Sequence, residues 1–356
     1  MSAAGKGGAA VKQKNLLFLY SLFHFLVDLS TIYLMYTRIL PSVFGREEAI
    51  WWTLLYNALA FAVPMPLGIL VDRWNRNPVA AAAGLGMILA GYLWPGGNLT
   101  SLLLAGLGNG LFHVGGGLDV LNMSDDKYAP CGCFISTGAM GVFLGTFFGK
   151  KFFPVEAVIL LALTGGILLF LILGRIHKKE KLLQNLPVEL PFGKKGFGTV
   201  FTAFFLVVVL RSYTGSILSY EWKQEVFWSV VCALSVMLGK MAGGILADLW
   251  GTDKVILSLG VSGILSLFSF AHPWAGVASI FLFNMTMPIT LLSMARIFPK
   301  AKGFAFGILT FALLLGVLPV CMQWSSPLFS PEGLLGLSWI SMILLYMGWK
   351  KEKACV

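Results

Sequence analysis

The chain has 356 residues, a mean hydropathy of +0.82, 57% hydrophobic residues and 12% charged ones, against roughly one-quarter charged in an ordinary soluble domain. That composition excludes a water-soluble globular protein. The net charge of +10 does not indicate a nucleic-acid binder, because the basic residues are strung out between apolar stretches and not gathered in one patch.

Crossing a bilayer as a helix takes about 20 predominantly apolar residues. Such stretches run over 15–37, 50–71, 77–95, 99–122, 129–150, 154–174, 198–219, 226–248, 252–270, 273–296, 301–322 and 331–349. Their length fits helices, which satisfy their own backbone groups in lipid, and not the roughly ten-residue alternating strands of an outer-membrane barrel. The expected fold class is therefore all-α, a polytopic membrane protein of twelve transmembrane helices. Nineteen of the 26 basic residues fall on the side of the termini: Lys6, Lys12, Lys14, Arg73, Arg76, Lys127, Arg175, Lys178, Lys179, Lys181, Lys194, Lys195, Lys254, Arg296, Lys300, Lys302, Lys350, Lys351 and Lys353. Five (Arg38, Arg46, Lys150, Lys151, Lys223) fall on the other. The positive-inside rule puts both termini in the cytoplasm, in an integral protein of the cytoplasmic membrane. Trp51, Trp52, Trp94, Trp222, Trp274 and Trp324 at the outer ends, and Trp74, Trp250 and Trp349 at the inner ends, suit interfacial anchors.

The first span is too long for a signal-peptide core and lacks a following small-residue cleavage site, so it is expected to be retained. It carries His24 and Asp28 one turn apart on one face. A charge deep in a bilayer costs about 2.5–3.5 kcal/mol on insertion scales, which makes each one a functional candidate. Helical rise puts Asp28 about 20 Å into an apolar core about 30 Å thick. A carboxyl beside an imidazole can take up and release a proton near neutral pH, which nominates the pair for proton coupling; a structural hydrogen bond between helices is the alternative. The second span ends in Gly68-Ile69-Leu70-Val71-Asp72, followed by Arg73 and Arg76. In the fourth, Asn109 and His113 lie among glycines that permit close backbone approach or local unwinding beside a cavity, so His113 is a candidate for proton relay or substrate binding. Asp119, near the inner end, is a gate candidate. The fifth span reads Gly138-x-x-Gly141-x-x-x-Gly145-x-x-x-Gly149, with the last three on one face, as close helix crossing requires.

Residues 174–196 form the longest polar stretch and hold Pro187 and Pro191. They read as a cytoplasmic linker, dividing the chain into an N-terminal six-helix bundle (1–174), a linker (175–197) and a C-terminal six-helix bundle (198–356). The halves repeat a pentapeptide 176 residues apart, since Gly244-Ile245-Leu246-Ala247-Asp248 ends the eighth span as Gly68 to Asp72 ends the second. Arg211 and Tyr213 lie in the seventh span, Lys240 in the eighth, and Asn284, Thr286 and Thr290 in the tenth around Pro288. Arginine keeps its proton, so Arg211 needs water, an acid or an anionic substrate. Arg211, His113, Asn284, Tyr213 and Lys240 form the expected substrate set, with a salt bridge from Arg211 to Asp28 and snorkelling of Lys240 as the structural alternatives. Cys131, Cys133, Cys232, Cys321 and Cys355 are expected to be free thiols, and no metal site is expected.

Gly68-x-x-x-Asp72-Arg73-x-x-Arg76 resembles the major facilitator loop signature G-x-x-x-D-R/K-x-G-R/K, with Asn75 where the family has Gly. Gly244-x-x-x-Asp248-x-x-Gly251 is a weaker copy, with Leu249 and Thr252 at the basic positions. Parallel six-helix repeats are the architecture of that superfamily. Its fosmidomycin-resistance-like efflux branch is resembled by His24-Phe25-Leu26-Val27-Asp28, by Gly106-Leu107-Gly108-Asn109-Gly110-Leu111-Phe112-His113 and by Leu210-Arg211-Ser212-Tyr213, although Val114 stands where a Pro commonly follows the histidine. The fifth span resembles the antiporter signature G-x-x-x-G-P-x-x-G-G, with Thr146 at the Pro. The resemblance also implies that Asp119 pairs with Arg76 to lock one conformation.

No G-x-x-x-x-G-K-[ST] loop, G-x-S-x-G elbow or H-E-x-x-H helix is present, so neither ATP drive within the chain nor an enzymatic role is expected. No cofactor is expected beyond an ion gradient, the proton first. The sequence reads as a secondary transporter carrying a small organic molecule, anionic or zwitterionic, by alternating access, with proton-coupled efflux antiport favoured. Proton symport taking up an organic anion is the alternative, and a non-transporting membrane sensor or scaffold a second. The expected partners are the lipid bilayer and the small substrate, not nucleic acid, and the chain is expected to act as a monomer.

Overall fold

Lipid cannot hydrogen-bond a backbone, which leaves a spanning chain the helix as its simplest solution. The structure, a computed structural model, describes residues 3–177, 183–193, 195–324 and 326–355, without the side chains of 3–12, 177, 354 and 355. The basic side chains of Lys6, Lys12, Lys178, Lys179, Lys181 and Lys194 and the thiol of Cys355 therefore lie outside the described residues. Within them the chain is helical and contains no strand. In order run α1 (Ala3–Leu34, continued by a π turn at Met35–Ile39), α2 (Arg46–Trp74), α3 (Asn77–Leu93), α4 (Asn98–Met123), α5 (Tyr128–Lys150), α6 (Glu156–His177), α7 (Phe197–Ile217), α8 (Val226–Trp250), α9 (Thr252–Ser266), α10 (Pro273–Ile297), α11 (Lys302–Cys321) and α12 (Pro331–Cys355). Ten of them are long and apolar enough to cross a membrane; α3 and α9, with 17 and 15 residues, are the short ones that complete the twelve. The first helix begins well before residue 15, where apolarity starts.

Two breaks come from proline. Pro64 has no amide to give and would crowd the carbonyl of Ala60, so α2 widens into a π segment over Ala58–Ala62 and resumes at Pro64. In α10 the α-helical turns stop at Asn284 and restart at Met287, with Pro288 in the first turn of the restart. The turn between α8 and α9 is the single residue Gly251, whose φ of 100° is open to glycine and strained for other residues.

Tyr20, Phe112, Phe134 and Phe170 are fully buried inside the N-terminal half, whereas Leu161, Leu168 and Val158 of α6 face outward. Since apolar side chains gain little by leaving lipid, helix contacts here depend on close backbone approach. The glycine row of α5 provides it: a methyl on Gly141 would meet the carbonyl of Phe25, and one on Gly145 would stand 2.6 Å from the carbonyl of Leu29. The row is thus occupied in packing against α1.

Gly141→Leu should overpack this crossing by about 1–3 kcal/mol or more and lower the thermal midpoint of the detergent-purified protein. Gly165→Leu, at a glycine with open space around it, should leave the midpoint unchanged.

Candidate functional site

Three helices of the N-terminal half converge on Asp28. His24 Nε2 lies 3.3 Å from Asp28 Oδ2, and His113 Nε2, reaching across from α4, lies 3.5 Å from Oδ1. Asn109 Nδ2 donates to the same Oδ1 at 3.1 Å. The imidazoles meet edge to face, 4.5 Å between centroids. Each ring is held from behind: Nδ1 of His24 is 2.7 Å from the Phe134 carbonyl, and Nδ1 of His113 is 2.8 Å from the Asn109 carbonyl. A carbonyl only accepts, so each Nδ1 carries the hydrogen and each Nε2 is turned toward the carboxylate. Thr31, which accepts from the Tyr56 hydroxyl at 2.9 Å and from Asn109 at 3.2 Å, closes the network. Sequence spacing gave the His24 and Asp28 pair; His113 joins it only through the crossing of α1 and α4.

Arg211 occupies the other half. It is 6% exposed and donates to the hydroxyls of Thr290, at 3.1 Å from Nη1, and Thr286, at 3.2 Å from Nη2. The break before Pro288 brings those threonines to it. Its Nε has no partner, and among the described residues no carboxylate lies within ion-pair distance of it, so the alternative of a salt bridge to Asp28 is not formed. Arg211 lines a cavity of about 520 Å³ together with Thr214, Lys223, Ser262, Ser279, Phe283 and Asn284, and with Val142, Phe143 and Thr146 of α5. Asn284 donates to the Ile280 carbonyl at 2.8 Å, which leaves its side-chain oxygen available. Lys223 donates to the Leu218 carbonyl at 3.0 Å, and burial holds its ammonium below the ordinary lysine range. Tyr213 packs instead with Ile217, Tyr220, Leu334 and Leu337. Lys240 lies where α8 meets α5, near enough for its charge to act on both Asp28 and Arg211.

The repeated pentapeptides do one job twice. Asp72 accepts from the amides of Gly303 and Phe304, both at 3.0 Å, capping the start of α11. Asp248 accepts from the amides of Tyr128 and Ala129, at 2.9 and 2.8 Å, capping the start of α5. Each carboxylate thus sits on the positive end of a helix from the opposite half. Gly68 and Gly303 let α2 and α11 touch backbone to backbone beside the first of these contacts. Arg296 adds bonds to Asp126 at 2.7 Å, Tyr128 at 2.5 Å and Glu352 at 3.5 Å. The 520 Å³ cavity lies toward the far ends of α5 and α8, so the molecule is closed at the Asp72 and Asp248 end and hollow at the other.

Asp119 accepts from the Tyr20 hydroxyl and, at 2.7 Å, from Asn77, while Arg73 and Arg76 are exposed. One element went unread in the sequence. Asn185 of the linker donates to Asn77 at 2.9 Å and to the carbonyls of Val71 and Asp72 at 3.2 Å, and accepts from Asn122 at 2.9 Å. Asn75, at φ 50° where the family pattern has Gly, binds Gln184 at 2.7 Å and the Asn185 amide at 2.8 Å. No periodicity marks such a docked polar segment.

Neither a family model nor a curated protein matches the sequence. Solved structures do. A major facilitator superfamily transporter, FucP, in its outward conformation superposes with a TM-score of 0.64 at 14% identity, over 96% of this chain and 98% of that one. The chain has the major facilitator fold. The human organic anion transporter MFSD10 shares that fold at a TM-score of 0.61 and 15% identity, over 94% of this chain and 99% of that one. A bacterial homologue of the iron transporter ferroportin, in an outward-facing state, does so at 0.61 and 13%, over 95% and 99%. At these identities the likeness is one of architecture.

Because a charge-assisted hydrogen bond contributes about 1.5–3 kcal/mol, Asp248→Ala should loosen the closed end. Cys131, fully buried in the first turn of the helix that Asp248 caps, reports the change. In a chain whose other cysteines are alanine, maleimide labelling of Cys131 should speed up several-fold with Asp248→Ala or Asp72→Ala. An unaltered rate would mean that the two caps do not hold this end shut.

Proposed function

We propose that the protein is a secondary transporter of a small organic anion, working by alternating access and coupled to a proton taken up at the Asp28 cluster. The observation that carries this reading is Arg211, a guanidinium 6% exposed that lines a 520 Å³ cavity, with its buried Nε unpaired and, among the described residues, no acid within ion-pair distance. A carboxylate or similar anion reaching the guanidinium from the cavity would offset its buried charge through a charge-assisted hydrogen bond of about 1.5–3 kcal/mol. The serine hydroxyls and Asn284 nearby offer acceptor lone pairs to hydroxyl or amino groups of the cargo. The fold is shared with a fucose:proton symporter and an organic anion transporter, which is compatible with both parts of the proposal. The three motifs resembling the fosmidomycin-resistance-like branch carry His24 and Asp28, His113, and Arg211, so that affiliation belongs to the same proposal.

Symport is favoured over efflux antiport on one ground. The anion site and the proton site lie in different halves and are not ion-paired with each other, so both can be filled at once, as co-transport requires. The glycine row that resembles an antiporter signature is accounted for by its packing on α1. In this reading 1–174 and 198–356 rock about the cavity, with 175–197 as linker, in a monomer of the cytoplasmic membrane whose termini face the cytoplasm. The state described is then open to the outside.

In proteoliposomes with an inwardly directed proton gradient, the wild type should accumulate an organic anion. Arg211→Ala should cut uptake at least roughly tenfold, the factor that about 1.4 kcal/mol sets. Asp28→Asn should abolish gradient-driven accumulation while leaving anion exchange at equal pH. Accumulation driven only by the opposite gradient would make the protein an antiporter, and binding confined to neutral or cationic ligands would remove the anion reading altogether.

A further inference from the structure

The cluster around Asp28 presents a chemical problem that a proton solves only in part. With both Nδ1 hydrogens committed to the carbonyls of Phe134 and Asn109, two Nε2 atoms and two carboxylate oxygens converge, and Asn109 is the one neutral donor among them. Four acceptor atoms facing one another call for protons on the imidazoles or for a metal cation between them. We propose that His24, Asp28 and His113 form a binding site for a divalent first-row transition-metal ion in the N-terminal half.

The geometry meets what such an ion needs. Around a tetrahedral ion with bonds of about 2.0–2.2 Å, neighbouring ligand atoms stand about 3.4 Å apart. The histidine nitrogens lie 3.3 Å from Oδ2 and 3.5 Å from Oδ1, so each faces its own carboxylate oxygen, and one ligand atom from each of the three residues lies within 4.8 Å of the others. Metal-bound imidazoles commonly donate their other ring N–H to a carbonyl or carboxylate, which fixes the tautomer and aims the free nitrogen. Both rings do so here, and Asn109 orients the carboxylate in the same way. Two imidazoles and one carboxylate select zinc, cobalt, nickel or copper over magnesium and calcium, which prefer oxygen ligands.

Space and access also fit. Gly138 of α5 faces the cluster, and a methyl there would press on His24 Nε2 and Asp28 Oδ2. Only a glycine lets the α5 backbone pack this closely on the ligand atoms, so α5 covers the cluster on that side. Asp28 and His113 keep 14% and 13% of their side-chain surface accessible. The other charged or titratable groups acting on the cluster are Lys240 of α8 and Tyr56 of α2, and neither touches a ligand atom. A bound ion would occupy the atoms that the coupling proton uses, so it would stall coupled flux. Only that consequence rests on the transport reading; the site itself does not.

Cobalt(II) titrated into purified full-length protein tests the site through its visible d–d absorption. The expected result is one ion per chain with low-symmetry bands, a roughly 10–100-fold weaker affinity in Asn109→Ala, and loss of the bands in His113→Gln and Asp28→Asn. The variants must elute as the wild type does, so that loss of binding is not loss of fold. Replacing Cys131 and Cys133 with alanine should leave the spectrum unchanged. Absence of cobalt and zinc binding in the folded wild type, or binding that survives His113→Gln and Asp28→Asn, overturns the proposal. If binding fails while anion uptake persists, the transport reading stands without the metal site; if binding holds while no anion moves, the reverse is true.

Discussion

Inside a bilayer, apolar surface is no reason for two helices to meet, so contact has to come from fit and from the few polar groups that the chain can pair. In this molecule the fit is glycine against backbone. The α5 row lies on the carbonyls of α1, and Gly68 lies on Gly303. Everything chemical is positioned by those crossings. His24 and Asp28 come to the surface of α1 where α5 offers Gly138, and His113 reaches them because α4 is drawn in alongside. A larger residue in the row would displace the polar cluster along with the helix.

The charges that survive in this environment are sorted by half. The N-terminal half holds the acceptors, two imidazole nitrogens and a carboxylate, and the C-terminal half holds the donors, Arg211 and the ammonium of Lys240. They do not neutralise each other by direct contact, although each side lies in the other's field. Opposite charges that would ordinarily collapse into an ion pair are kept apart by the threonines that hold Arg211 and by the histidines that hold Asp28. Among the described residues, neither side takes the other's opposite charge as a direct partner. At the closed end the rule is reversed, and Asp72 and Asp248 are satisfied by amides of the opposite half.

Hydrophobic runs made the twelve spans legible in the sequence, because in lipid the backbone leaves few alternatives. The repeat was legible as well, since Gly68 to Asp72 and Gly244 to Asp248 differ at one position. Helical spacing could pair His24 with Asp28 because the pair lies on a single helix. It could not add His113, which depends on how two helices cross, nor assign Thr286 and Thr290 to Arg211, which depends on the break at Pro288. Tyr213 stood two residues from Arg211 in sequence and so joined the expected substrate set, yet residues two apart on a helix point about 200° apart, and it packs among apolar neighbours. The asparagines at 75, 77, 122 and 185 carry no periodic signal, and their meeting is a matter of tertiary docking alone.

That docking sets a limit on how far the two bundles can separate. The linker is fastened to the N-terminal bundle by Asn185 and to the turn after α10 by the ion pair of Glu189 with Lys300. The four residues of chain from one fastening to the other reach about 14 Å when fully stretched. Any swing that carries the two attachment points beyond that distance must first break the exposed ion pair or pull the asparagine from its nest, so the tether acts as a stop with two release points of unequal strength.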